Sequence, residues 1–245
     1  MSVRITLNTV GRVLTQIWHD RRTLAVLLLV PCMLLTLLRF IFDGRPDIFD
    51  QIGLMLLGIF PFVSMFLVTS VAMLRERVSG TLERLLSTPV QKLDLLFGYG
   101  IAFALVAIIQ ASVASAVTYG LLGLRSQGSV AVVILIAAST AVLGSSTGLL
   151  TSAFAKSEFQ ALQFMPAIVV PQILLCGLIW PREEMSGALQ ALSNVMPLRY
   201  AAEALREVET YPLPTDLMWR DLAVIVVFAL LLIAGGAATL RRRTA

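Results

Sequence analysis

The residues able to carry chemistry are few. The 245-residue chain has two lysines, Lys92 and Lys156, and neither follows a glycine. A phosphate-binding P-loop needs that glycine, because backbone N–H groups must cradle the phosphates beside the lysine. Hydrolysis of ATP by that route is therefore excluded. His19 is the only histidine, and the two cysteines, Cys32 and Cys176, sit in separate apolar runs. That pattern makes neither a metal site nor a structural disulfide. The expectation is a chain with no catalytic residue, metal or cofactor of its own.

Charge and amide chemistry remain. Arg75–Lys92 reads RERVSGTLERLLSTPVQK and lies between two long apolar runs. Arg75, Glu76, Arg77, Glu83 and Arg84 form a charge set suited to gripping a soluble partner. Leu82, Leu85 and Leu86 fall on one side of a short amphipathic rod, with Glu83 and Arg84 towards the other. Gly80 relaxes the backbone ahead of the rod and Thr81 caps it. Pro89 ends it, since the residue before a proline avoids the helical region. The second set is Gln160, Gln163 and Gln172, in an apolar run that also holds Pro166 and Pro171. An uncharged amide in lipid is costly unless it pairs or faces a cavity. These amides therefore mark a transport path, a contact between subunits, or hydrogen bonds between helices. On a straight helix Gln160 and Gln163 share a face and Gln172 falls opposite.

The elements that must position these residues are membrane helices. The chain is 58% hydrophobic and 14% charged, too apolar for a water-soluble domain of its size. Apolar runs lie at 23–42, 52–74, 97–122, 130–154, 160–180 and 222–240. Each approaches the ~20 residues that cross the hydrocarbon. Six spans place both termini on one side. The termini, the 75–94 loop and the 155–159 turn hold twelve Lys/Arg against five Asp/Glu, while the opposite loops hold six against ten. Cytoplasmic loops are the basic ones, so both termini and residues 75–92 are expected in the cytoplasm. The pI near 9.5 then reports membrane orientation, not nucleic-acid binding. Residues 3–20 read as an amphipathic helix lying on the membrane, with Val3, Leu7, Val10, Leu14, Ile17 and Trp18 on its apolar side. The lead before the first span is too polar, and that span too long, for a cleavable signal peptide. Arg39, near the end of the first span, is expected to snorkel to the surface. Gly144 and Gly148 form a small-xxx-small pattern that lets helices approach closely. Residues 181–221 read as two short amphipathic helices broken at Met196-Pro197, the second carrying Glu203 and Arg206.

Two stretches resemble one family. Arg75-Glu76-Arg77, Gly80-Thr81-Leu82-Glu83 and Leu85-Leu86-Ser87-Thr88-Pro89-Val90 resemble the cytoplasmic loop of ABC-2 type transport permeases of the drug-efflux, daunorubicin-resistance kind. Gly177-Leu178-Ile179-Trp180-Pro181 and Met196-Pro197-Leu198-Arg199-Tyr200-Ala201 resemble the same family on the other side. Val78 and Met196 depart from it, standing where acidic and Asn residues are usual. The resemblance implies an all-α membrane domain over residues 1–245, with six spans, an N-terminal interfacial helix, a coupling helix at 75–92 and a re-entrant extracellular hairpin at 181–221. It further implies a prokaryotic cell-membrane protein whose 75–92 segment docks on a separate ATPase, present in two copies, that binds ATP and Mg. A second permease subunit, identical or homologous, would complete the complex. Drug or antibiotic efflux is the expected role. Lipid or polysaccharide-precursor export is the alternative, as is a membrane scaffold that binds a soluble partner without transport. A carrier driven by an ion gradient is disfavoured, because acidic residues are expected to be absent from the membrane interior.

Overall fold

The computed structural model describes residues 3–80 and 92–239. Among them the chain is all-helical: α1 (Val3–His19), α2 (Arg21–Ile41), α3 (Pro46–Val78), α4 (Lys92–Gly120), α5 (Val130–Ser152), α6 (Glu158–Leu175), a short 3-10 turn (Arg182–Glu184), α7 (Gly187–Val195), α8 (Pro197–Thr210) and α9 (Asp216–Thr239). Six of these, α2 to α6 and α9, are long and apolar enough to cross a membrane. Local chemistry sets their starts. Asp20, Ser129, Ser157 and Thr215 each accept a bond from the first turn of the helix that follows (to Thr23, Ala131, Gln160 and Met218), and Pro46 opens α3.

α3 is the axis of the bundle. Its 33 residues reach roughly 50 Å, against about 30 Å of hydrocarbon, so its ends project. It packs along α5 more extensively than any other helix pair packs. Gly144 and Gly148 make that contact possible. A β-carbon on Gly148 would lie 2.6 Å from the carbonyl oxygen of Phe66, and one on Gly144 would collide with the carbonyl of Phe62. The hydroxyls of α5 are buried at little cost because most return to their own helix: Ser145 to Ala141 O, Thr147 to Leu143 O, Thr151 to Thr147 O. The Thr140 hydroxyl is shared, 2.8 Å from Ala137 O of its own helix and 2.9 Å from Gly58 O of α3.

Pro31 shows how sequence defects are repaired. A proline has no N–H, so the carbonyl four residues earlier, Leu27 O, loses its partner. The buried Gln110 of α4 supplies one. Its Nε2 donates to Leu27 O and to Ser64 Oγ of α3, both at 3.0 Å. One amide thus ties α2, α3 and α4. Gln110→Leu is expected to lower stability by about 1–2 kcal/mol, since it strands that carbonyl in an apolar interior. Thermal unfolding of the purified protein measures it. An unchanged midpoint would mean that the carbonyl finds another donor.

The structure departs from the sequence expectations in three places. The fifth span stops at Leu175 and not near 180. Gly177 takes φ +91 there and turns the chain out of the helix, leaving Ile179 and Trp180 exposed. Acidic side chains do enter the ends of the spans: Asp94, in the first turn of α4, and Asp221, in the second turn of α9, are fully buried. The apolar side assigned to α1 is divided. Val10 and Ile17 are buried with Thr6, Thr9 and Val13, while Val3, Leu7 and Trp18 stay exposed. Gly98 is the reason, because a β-carbon there would lie 2.6 Å from Thr9. α4 is smooth at that point and lets α1 seat its threonines.

Candidate functional site

At the end of the bundle that carries α1, which is the basic end, three helices meet on one ion pair. Arg12 of α1 donates to Glu76 Oε1 of α3 at 2.8 Å and to the Tyr99 hydroxyl of α4 at 3.1 Å. Its guanidinium also stands over the Tyr99 ring, 5.8 Å from the centroid. Burial alone would lower the Arg12 pKa, but the pull of Tyr99 and Glu76 outweighs it and raises the value. Arg75, one residue before, holds Glu158 at the start of α6 with two bonds of 2.7 and 3.0 Å. Both members are largely exposed, so this pair adds little stability. It does fix the neighbouring ends of α3 and α6. Two charges read as partner contacts are thus also engaged inside the chain. Arg77 is half-buried. Gly80 follows the helix end at φ +70, the conformation in which the sequence needs glycine. Thr81, Leu82, Glu83, Arg84, Leu86 and Pro89 lie outside the described residues.

The span-5 amides divide as their spacing foretells. Gln160 acts at the helix start. Its N–H donates to Ser157 Oγ at 3.2 Å while its Oε1 accepts from Lys156 N at 2.8 Å. This is close to a capping box. Gln163 is exposed, on the same side. Gln172 is buried on the other side. The helix stays continuous through Pro166 and Pro171, so the structure does not bring the three amides together.

Gln172 instead serves the 181–221 segment. Met196 is the N-cap of α8 and offers no side-chain cap, while Pro197 has no N–H. Gln172 Oε1 accepts from Leu198 N at 3.3 Å, standing in for the missing cap from another helix. The help is mutual. Arg206 of α8 donates to Gly177 O, and Ser193 of α7 donates to Leu175 O at 2.9 Å, satisfying carbonyls left over at the end of α6. Nearby, Arg199 pairs with Glu203 at 3.0 Å, and Arg220 spans Glu203 and Asp221 at 3.9 and 2.9 Å. α8 buries Leu198, Ala201, Leu205 and Val208 in the bundle, whereas Leu189, Leu192 and Val195 of α7 remain exposed with Ile179 and Trp180. Gln172→Ala is expected to cost about 1–2 kcal/mol by leaving Leu198 N unpaired. Gln163→Ala, at an exposed site, is expected to change nothing. Equal effects in thermal unfolding would contradict the capping role.

Ser146 lies in a Gly-x-Ser-x-Gly string, yet it sits in mid-helix and donates to Val142 O at 2.6 Å. It is not the exposed serine of a strand-to-helix turn. Sequence reasoning missed Gln110, Tyr99, Arg12 and Glu158 as partners. Only Gln110 left a signal, as an amide in an apolar run opposite a run interrupted by Pro31.

The arrangement is that of a membrane bundle with a charged junction at the foot of α3. The family model for the ABC-2 type transporter matches residues 7–210. The chain belongs to this family. As an ABC-2 type chain with six apolar helices it is a multi-pass membrane protein. Among its relatives, the probable multidrug ABC transporter permease YbhR of Escherichia coli is 27% identical over 175 residues, covering 70% of this chain and 47% of that protein. The linearmycin resistance permease protein LnrN of Bacillus subtilis is 24% identical over 169 residues, 69% of this chain and 43% of that one. ABC transporter G family member 20 of Dictyostelium discoideum is 27% identical over 141 residues, 58% of this chain and 19% of that one. The ABC-2 chain spans less than half the length of each of these relatives.

Proposed function

We propose that this ABC-2 chain is the membrane-spanning permease subunit of an ATP-driven exporter, moving an amphipathic or hydrophobic compound out of the cell. ATP and Mg are bound by a separate ATPase subunit, in two copies. Six spans are few to enclose a path, so two permease subunits, identical or homologous, pair. Both termini and residues 75–92 face the cytoplasm, in a prokaryotic cell membrane. The supporting observation is the junction of Arg12, Glu76 and Tyr99 at the foot of α3, where the coupling segment leaves the bundle. A push on that segment reaches α1, α3 and α4 together and tilts them between inward-open and outward-open forms. Gln163, on the exposed side of α6, faces the path or the second subunit. On the other side of the membrane, α7 dips its bare apolar face into the outer leaflet, held by α8 and Gln172. The relatives named for multidrug permeation and linearmycin resistance support a drug or antibiotic as cargo.

The test is accumulation of a panel of amphipathic compounds in cells expressing the chain together with the ATPase of a neighbouring reading frame. Reduced accumulation that vanishes when the ATPase P-loop lysine is replaced supports the reading. Reduction that persists without a working ATPase refutes it.

A further inference from the structure

Beyond the end of α6, two arginines converge on one neutral oxygen. Arg182 of the 3-10 turn and Arg199 in the first turn of α8 both donate to Asn194 Oδ1, Arg182 through Nη2 at 2.8 Å. Arg199 is only 9% exposed. It also donates to Glu203 at 3.0 Å and stands over the Tyr200 ring, 4.8 Å from the centroid. Arg182 forms no ion pair among the described residues. The Nε groups of both arginines are enclosed and find no acceptor there. A single carboxamide oxygen is a weak answer to two guanidiniums, which bind charged acceptors about twice as strongly and take two oxygens at once. Asn194 itself is exposed, so its side chain is free to yield that place to an anion.

The surroundings decide which anion. Ile179 and Trp180 lie just before the turn and Val195 just after Asn194, and all three are exposed. A tryptophan at the end of a span marks the headgroup level of the bilayer. The anion that a lipid surface offers there is phosphate. Glu183 and Glu184 follow Arg182 in the same turn, both exposed. Arg182, Arg199 and Arg220 thus stand against the carboxylates of Glu183, Glu184, Glu203 and Asp221, three charges against four. A headgroup of net negative charge would meet that excess. A zwitterion brings a phosphate for the arginines and an ammonium for Glu183 and Glu184.

We propose that Arg182 and Arg199 bind the phosphate of a phosphatidylethanolamine in the place now held by the Asn194 carboxamide. Its ammonium lies towards Glu183 and Glu184, and its chains run along Ile179, Trp180 and Val195. The site joins the turn, α7 and α8, so the bound lipid ties this hairpin to the membrane surface. Which leaflet supplies the lipid rests on the permease reading above. The binding itself does not.

The chain has three tryptophans, and Trp18→Phe with Trp219→Phe leaves Trp180 as a local reporter. This protein, reconstituted in phosphatidylcholine vesicles, is titrated with phosphatidylethanolamine brominated on its acyl chains, which quenches tryptophan on contact. Half-quenching is expected at a mole fraction at least ten-fold lower than with brominated diacylglycerol, which has no phosphate. Brominated phosphatidylglycerol should need several-fold more than phosphatidylethanolamine. Arg182→Gln should raise the half-quenching fraction about ten-fold. Asn194→Asp keeps the shape, supplies the anion from within, and should do the same while the unfolding temperature holds or rises. Arg125→Gln, at an exposed position near the same end of the bundle, should change nothing. The proposal is overturned by equal quenching from diacylglycerol or phosphatidylglycerol, or by quenching unmoved by Arg182→Gln or Asn194→Asp. It is also overturned if excess inorganic phosphate abolishes the preference, since the site would then take free phosphate. Quenching is read without ATPase or transport. Failure here leaves the permease reading standing, and failure of ATP-dependent export leaves the lipid site standing.

Discussion

Gly144→Val is expected to yield protein that is largely lost from the membrane or unfolds well below the parent, a destabilisation of more than about 3 kcal/mol. Most over-packing is relieved by a side chain moving aside. Here the obstacle is backbone: the carbonyl of Phe62 occupies the space that a β-carbon at Gly144 would need, and the Phe66 carbonyl does the same at Gly148. Neither carbonyl can swing without breaking α3. The helices must separate instead, which exposes Thr140 and Ser70, the two side chains that bond across that seam. Gly148→Ala should be milder, since a methyl 2.6 Å from an oxygen needs a smaller shift. Gly235, whose β-carbon would sit 3.7 Å from Leu150, an ordinary contact, is the control: Gly235→Ala should be neutral. Unfolding midpoints in one detergent rank the three. Gly144→Val at parental stability would show that the α3–α5 seam is looser than the glycines require.

The second large effect concerns work and not stability. Glu83→Ala with Leu86→Ala is expected to lower ATP-driven transport more than ten-fold. The amount of protein in the membrane and the partner's rate of ATP hydrolysis should stay nearly unchanged. The sequence spacing puts Leu86 with the apolar residues of the 75–92 segment and Glu83 with the charged ones, so under the proposed docking role the double change removes both an anchor and a charge. Arg12→Ala should act from the other side of the same junction, freeing Glu76 and Tyr99 and loosening the tie between α1 and α3. Transport by the double variant at the parental rate per ATP would remove the coupling role from this segment.

Much of the architecture was legible in one sequence because hydropathy and small-residue spacing are local quantities. The six spans, the break at Met196-Pro197 and the Gly144–Gly148 seam all followed from residues that mark themselves. The fifth span was misjudged at its end because hydropathy reports which solvent a residue prefers, not where the backbone turns. Ile179 and Trp180 prefer lipid equally well after Gly177 has ended the helix. The amides were legible as costly, but not as to who relieves the cost. Gln110 bonds Leu27, 83 positions away. Gln172 serves Leu198 because Met196 and Pro197 leave an N–H unclaimed, a need that arises only once α6 and α8 are adjacent. The ion pairs were hidden for the same reason. Arg12 and Glu76 are 64 residues apart, Arg75 and Glu158 are 83 apart, and charge pattern alone gave Arg75 and Glu76 to an outside partner. Sidedness was read from the Lys/Arg asymmetry of the loops alone.

The most direct measurement is uphill transport in sealed vesicles, made with the purified chain alone and then with its ATPase and ATP. Concentration of an amphipathic cargo against its gradient is predicted only when both the ATPase and ATP are present. Accumulation by this chain alone would contradict the account, since the work would then come from within a polypeptide assigned none.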